Sequence, residues 1–379
     1  MLDTVILNIP RDRVRDIANG NGTRTWDLQA RTRTYEKLTK NPPRGLHDGV
    51  YRPRLTGIKR GVGQSRWISF VKIEFSVPKL LFNNNLEEAS EKEFPKVIDL
   101  LHERLLDAGC VVTKQDLRMA TVAAFHPSKN IILKDGYTAS LVGKELSKIN
   151  LNKKFDLSKT SFRNSGQSLQ GYTTAHSVVF YDKIADLSQK KKRAIDKDQT
   201  SLQLTLFTDI KKTRPELEVL RFEIRLSQKQ KLNAVLKNLG FDKDPTFADI
   251  FKKDVCQKIV RHYWDTLVKG ENLFLFEMAA GPKQALKGIL KKYGGIGPKE
   301  SIYLVGLDAL CKDEGGIREL RQIIEPHLNQ RSWYRISDGI KKLNRRIKST
   351  RSVHGWVRQI EICITKFQPL RNATGPPSK

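Results

Sequence analysis

Cysteine is scarce in this chain: Cys110, Cys256, Cys311 and Cys363 are the four in 379 residues, and each stands more than 50 positions from the next. That spacing offers no CxxC pair, which excludes a zinc ribbon or a disulfide frame and leaves reduced thiols. Acidic residues are also few, 41 against 69 Lys and Arg, a positive surplus of 28. No apolar run approaches the ~20 residues a spanning helix needs, so a membrane partner is not expected. The opening stretch Met1 to Pro10 lacks the basic flank and long apolar centre of a secretory signal, and reads as the first strand of a cytoplasmic protein. There is no GxxxxGK followed by Ser or Thr, which argues against a nucleotide-driven motor. Gly61-Val62-Gly63 and Gly294-Gly295-Ile296-Gly297 are glycine turns without the rest of a dinucleotide fingerprint.

What is present is positive charge, and a field of this size attracts polyanions, nucleic acid foremost. The first 66 residues hold 14 basic and 6 acidic side chains, with Trp26, Tyr35 and Tyr51 interleaved among Arg24, Arg31, Arg33, Arg52 and Arg54. Such a mixture suits stacking on bases and neutralising phosphates, and equally an ordinary basic surface.

Periodicity supplies the coarse structure. Alternation from Arg66 to Val77 predicts a strand with Glu74 on its polar side, and Phe94, Val97, Ile98, Leu101 and Leu105 recur at helical spacing up to Gly109. Val111 to Phe125 reads as a second alternating strand carrying Asp116. Ser177 to Lys183 reads as a strand that places Tyr181 and Lys183 on one face, ahead of the basic run Lys190-Lys191-Lys192-Arg193. In Val219 to Leu226, Leu220, Phe222, Ile224 and Leu226 face a core while Arg221, Glu223 and Arg225 face away. From about Asp244 helical patterns take over, among them Lys283 to Tyr293, Lys299 to Leu310 and Ile317 to Leu328, a spacing compatible with a helix-turn-helix module.

The polar strand faces together offer Glu74, Asp116, Tyr181 with Lys183, and Arg221 with Glu223. Attack of a tyrosine on a phosphodiester needs a cation beside the phosphate and help in ionising a phenol whose ordinary pKa is about 10. Seven histidines show no HExxH and no His-x-His pair, so a metal held here takes mainly carboxylates, which suits Mg²⁺ or Mn²⁺. Each residue alone has an ordinary reading as well: a core tyrosine, or a solvated Arg–Glu pair.

The phrases Met1-Leu2-Asp3-Thr4-Val5-Ile6-Leu7-Asn8-Ile9-Pro10, Glu74-Phe75-Ser76-Val77-Pro78-Lys79 leading to Asn84-Asn85-Leu86, His176-Ser177-Val178-Val179-Phe180-Tyr181-Asp182-Lys183, and Leu220-Arg221-Phe222-Glu223 resemble, in order and spacing, the gene II/X-type replication initiators of filamentous phages and related plasmids. The resemblance spans about residues 1 to 230. It implies an α+β architecture: an antiparallel-sheet nicking and joining domain over 1–235 with a basic N-terminal arm, then a mostly helical, basic accessory or DNA-binding domain over 236–379.

It also implies an activity: nicking one strand at a rolling-circle origin, a 5′-phosphotyrosine intermediate, and later rejoining of the displaced strand. The nucleophile falls on Tyr181, with Lys183 steadying phosphate or phenolate. Asp116, Glu223 and Glu74 are the implied Mg²⁺ or Mn²⁺ ligands, although Lys114-Gln115-Asp116 departs from the family's Arg-hydrophobe-Asp phrase. Arg221, Arg225, Lys79, Arg31, Arg33, Arg52 and Arg54 are the expected DNA contacts. The partners would be origin DNA, double- and single-stranded, with a host helicase and polymerase in a bacterial cytoplasm. Rival readings are a non-enzymatic DNA-binding regulator of a phage or plasmid replicon, and a transposase or relaxase sharing the tyrosine chemistry; Tyr172 is a second tyrosine to watch.

Overall fold

A computed structural model describes residues 1–16, 35–40, 50–62, 66–149, 159–163, 168–188, 200–270, 272–278, 281–293, 295–327, 330–347 and 353–371. Arg31, Arg33 and the run 190–193 lie outside the described residues.

The strands are β1 (Leu2–Pro10), β2 (Arg15–Asp16), β3 (Tyr35–Lys40), β4 (Arg54–Val62), β5 (Arg66–Ser76), β6 (Cys110–Val111), β7 (Thr121–Leu133), β8 (Lys159–Arg163), β9 (Ser168–Tyr172), β10 (His176–Asp182) and β11 (Glu218–Leu226). Nine of them form one antiparallel sheet in the order β3-β4-β5-β1-β7-β11-β10-β9-β8, while β2 and β6 pair separately. The sheet has two halves with one path. In each, a first strand (β1 or β7) is followed by a meander (β3 to β5, or β8 to β11) whose last strand returns beside the first. The two first strands then pair with each other at the centre. Lys72-Ile73-Glu74 of β5 and Arg221-Phe222-Glu223 of β11 hold matching places in this repeat.

Alternation decides the faces. Leu220, Phe222, Ile224 and Leu226 are fully buried on the apolar side, where Phe180 stacks on Phe222 at 4.4 Å and Trp264 meets the edge of Phe222 at 6.2 Å. The helices are α1 (Val77–Phe82), α2 (Phe94–Asp107), α3 (Lys114–Arg118), α4 (Ala139–Ser147), α5 (Lys183–Leu187), α6 (Thr200–Thr213), α7 (Lys229–Asn238), α8 (Phe247–Ile250), α9 (Lys253–Trp264), α10 (Pro282–Lys292), α11 (Pro298–Lys312), α12 (Gly316–Ile324), α13 (Gln330–Ile347) and α14 (Gly355–Lys366). α4 packs on β9 and β10, α9 on β7 and β11, and α14 on β7. The principal core is therefore continuous from Met1 to Phe367, with a smaller one formed by Leu86, Ile184, Leu187, Ile210 and Val219. The architecture is α+β, an antiparallel sheet followed by a mostly helical C-terminal region. No helix among the described residues is long and apolar enough to cross a membrane.

Two local expectations are corrected. The stretch expected as one strand from Val111 to Phe125 is broken by α3, because the Thr113 hydroxyl accepts from the Asp116 amide at 3.0 Å and caps a turn of helix. Lys183 is not on the strand with Tyr181: the Asp182 carboxylate accepts from the Ala185 amide at 2.9 Å, so Lys183 opens α5.

Candidate active site

Directly opposed residues of an antiparallel pair share a face, and the register writes out the polar face of the second half row by row. Ser168, Tyr181 and Arg221 form one row; Gln170, Val179 and Glu223 the next; Tyr172, Ser177 and Arg225 the third. Beyond β11, His126 of β7, Asp3 of β1 and Glu74 of β5 carry this face across the centre of the sheet. Together they line an open groove of about 570 Å³, closed at one end by Lys79, Asn85, Asp182 and Asp186 and at the other by Thr173, His176 and Ser227.

Glu223 is the hub. Its side chain is 2% exposed, and one oxygen accepts from Arg225 Nε at 2.7 Å and lies 3.4 Å from His126 Nδ1. The other accepts from the Tyr181 hydroxyl at 3.2 Å and lies 3.4 Å from Arg221 Nε. Burial works to raise this carboxyl, but Arg225, His126 and Arg221 outweigh it and hold it well below the usual carboxylate range. Arg221, 1% exposed, reaches across to Asp3 at 3.1 Å, the Ser128 hydroxyl at 3.0 Å and the Asn85 carbonyl at 3.1 Å. Burial disfavours its charge, yet Asp3, Tyr181 and Glu223 keep it protonated.

Tyr181 is half-buried at the groove wall. Burial pushes its phenol well above the ordinary range, opposed by Arg221 and reinforced by Glu223, Asp186 and Asp3. The hydroxyl is thus neutral and aimed by Glu223. Lys183 is buried, bonded to Asp186 at 3.2 Å, and its ammonium sits 5.4 Å from the centre of the Tyr181 ring, so it contacts the ring.

The remaining expected residues divide. Glu74 lines the groove and, among the described residues, is held only by Arg54, at 3.7 Å. Lys79 and Arg225 line it as well, whereas Arg52 does not. Asp116 stands apart on α3, bonded to Thr113 and, at 3.3 Å, to Arg13. Sequence reading passed over Asp3, His126, Asn85 and Gln170. Neither Asp3 nor His126 carried a signal: Asp3 has the parity of the core residues Val5, Leu7 and Ile9, so alternation alone would bury it, and the register shifts in the pairing of β1 with β7 decide the neighbours of both.

Asp3, Glu74 and Glu223 are hard oxygen donors of the kind Mg²⁺ takes, but both oxygens of Glu223 already face cations or donors. Among the described residues no three His, Cys, Asp or Glu side chains converge as a metal cage. Mg²⁺ is commonly held by one or two carboxylates plus a substrate's phosphate; of the groove carboxylates Asp3 is already engaged by Arg221 and the Ser76 hydroxyl, which leaves Glu74 as the more open oxygen donor. Set against family models, curated proteins and solved structures, the chain matches none of them.

Proposed function

We propose that this chain is a replication initiator that nicks one strand of a rolling-circle origin through Tyr181 and later rejoins the displaced strand. The observation that carries the reading is the groove itself. Two neighbouring strands, β10 and β11, place a tyrosine hydroxyl there on a buried carboxylate, beside two arginines, on an open sheet face. A chain with a positive surplus of 28 brings polyanions to such a face.

In this reaction the Tyr181 oxygen forms a bond to the 5′ phosphorus, the bond to the 3′ oxygen breaks, and the proton given up by the phenol ends, by way of solvent, on that oxygen, which leaves as the 3′ hydroxyl. Bond energy is kept in the phosphotyrosine, so resealing needs no nucleotide. Proton transfer from a phenol raised above its ordinary pKa to a carboxylate held below its own is steeply uphill. Glu223 therefore orients the hydroxyl and fixes Arg221 and Arg225. Arg225 stabilises charge on the non-bridging oxygens, and Mg²⁺ or Mn²⁺ at Glu74 would neutralise more of it. Asp116 is left out of the ligand set, being engaged at α3. Lys79, on α1, adds a further cation to the groove lining, and a host helicase and polymerase supply unwinding and synthesis.

The test is incubation of the protein with supercoiled DNA carrying its replicon's origin, with Mg²⁺ or Mn²⁺. The expected result is a nick bearing a protease-sensitive adduct, absent in Tyr181→Phe. Origin binding without a nick in any divalent metal would replace this reading with the replicon regulator.

A further inference from the structure

Two carboxamides face the groove with hydrogen-bonding capacity to spare among the described residues, one of them, Asn85, buried and the other, Gln170, half-buried. Asn85 is 9% exposed, lines the groove, and its Oδ1 accepts no hydrogen bond among the described residues. Gln170 lines the groove in the row beside Tyr181, and its side chain makes no hydrogen bond among the described residues. A buried acceptor without a partner is costly, and persists where a ligand completes it.

The backbone that carries each amide is held in place. The Asn85 carbonyl takes Arg221 Nη1 at 3.1 Å, and the next carbonyl, of Leu86, takes Asn130 Nδ2 at 2.6 Å. Glu88 pins the same loop to β7, accepting from the Asn130 amide at 2.8 Å and pairing with Lys129. Gln170 is fixed by the β9–β10 register, opposite the buried Val179, which offers a flat apolar floor. The two lie on opposite sides of Tyr181: β9 flanks β10 on one edge, and β11, whose Arg221 holds Asn85, on the other.

We propose that Asn85 and Gln170 read the two bases flanking the phosphodiester set against Tyr181, which makes the groove a sequence-reading site for single-stranded DNA. This rests on the nicking reading for the identity of the phosphodiester. A carboxamide presents a donor beside an acceptor, the pattern on an adenine edge, and an unpaired strand leaves such edges open. Gln170 lies one row, about 7 Å, along the strands from the row of Tyr181 and Arg221, and Asn85 is held at that row through Arg221, so the two amides reach different nucleotides.

The experiment selects bound oligonucleotides from a randomised single-stranded DNA pool, using Tyr181→Phe protein so that binding is read without cleavage. Two adjacent positions should show a base preference, adenine first. Adding Gln170→Ala should flatten one of them by about tenfold and leave the other, and Asn85→Ala should do the converse. Asn85→Asp, isosteric and lacking the donor, carries the test if the alanine variant does not fold. A pool bound without preference, or variants that weaken all sequences equally, would overturn the proposal. Failure of the nicking reading shows separately, as wild-type protein that forms no adduct yet retains the two-position preference.

Discussion

Lys72-Ile73-Glu74 and Arg221-Phe222-Glu223 hold matching places in the two halves of the sheet, yet their surroundings differ. Glu74 is 21% exposed and meets one cation, Arg54, at 3.7 Å; Glu223 is 2% exposed and meets Arg225, Arg221, His126 and Tyr181. The cause lies in the neighbouring strand and in what covers it. Opposite Glu74 the register places Arg54, whereas the strand opposite β11 brings Tyr181 and Val179. The loop carrying Asn85 closes over Arg221. One sequence phrase thus makes a surface ion pair in one half and a buried polar network in the other, and the chemistry belongs where the water has been removed.

That contrast is broken most severely at Arg221. Arg221→Met leaves the buried Glu223 and the half-buried Asp3 without their shared cation and should cost about 3–5 kcal/mol in a urea unfolding series. Lys72→Met, at the matching position on a half-buried site, should cost less than about 1 kcal/mol. Equal losses would remove the distinction between the halves.

Next comes the brace beneath the groove. Glu88 is buried with Lys129, and although burial alone would raise it, Lys129 and the Met1 amino group bring its pKa to about 2. A carboxyl depressed on folding adds stability above its unfolded pKa of about 4.5, and that stability is lost as the pH falls through 4.5 towards 2. The shift corresponds to roughly 3 kcal/mol. Glu88→Gln should lower stability at pH 7 by about that amount and flatten the fall in melting temperature between pH 5 and pH 2; an unchanged acid limb would show that Glu88 is not its source.

Smaller effects sharpen the comparison. Tyr181→Phe removes one hydrogen bond to Glu223 and should cost only about 0.5–1.5 kcal/mol while abolishing the adduct, since Arg225, Arg221 and His126 still satisfy the carboxylate. Glu74→Gln should shift stability by less than about 1 kcal/mol, yet weaken the dependence of nicking on Mg²⁺ concentration. A Glu74→Gln protein with an unaltered Mg²⁺ titration would take Glu74 out of the ligand set.

Much of the fold was legible because it rests on local periodicity. β5 and β11 follow from alternation and β10 from an apolar, β-branched run, while α2, α10, α11 and α12 follow from short helical patterns set between glycine turns or opened by proline. The errors at Asp116 and Lys183 share one cause: a side-chain cap, from Thr113 and from Asp182, starts a short helix inside a stretch that otherwise alternates. Tyr181, Arg221, Glu223 and Arg225 were legible as one polar face, but their burial was not. It depends on Asp3, Ser128 and Asn85 arriving from other segments to take up the Arg221 guanidinium, and sequence spacing does not encode such arrivals.

The central claim is that Tyr181 becomes joined to DNA, and the most direct measurement is mass spectrometry of the tryptic peptide ending at Lys183, which holds both Tyr172 and Tyr181. After reaction with origin DNA and nuclease trimming, the account predicts a nucleotide on Tyr181; a nucleotide on Tyr172, or an unmodified peptide from nicked DNA, would contradict it.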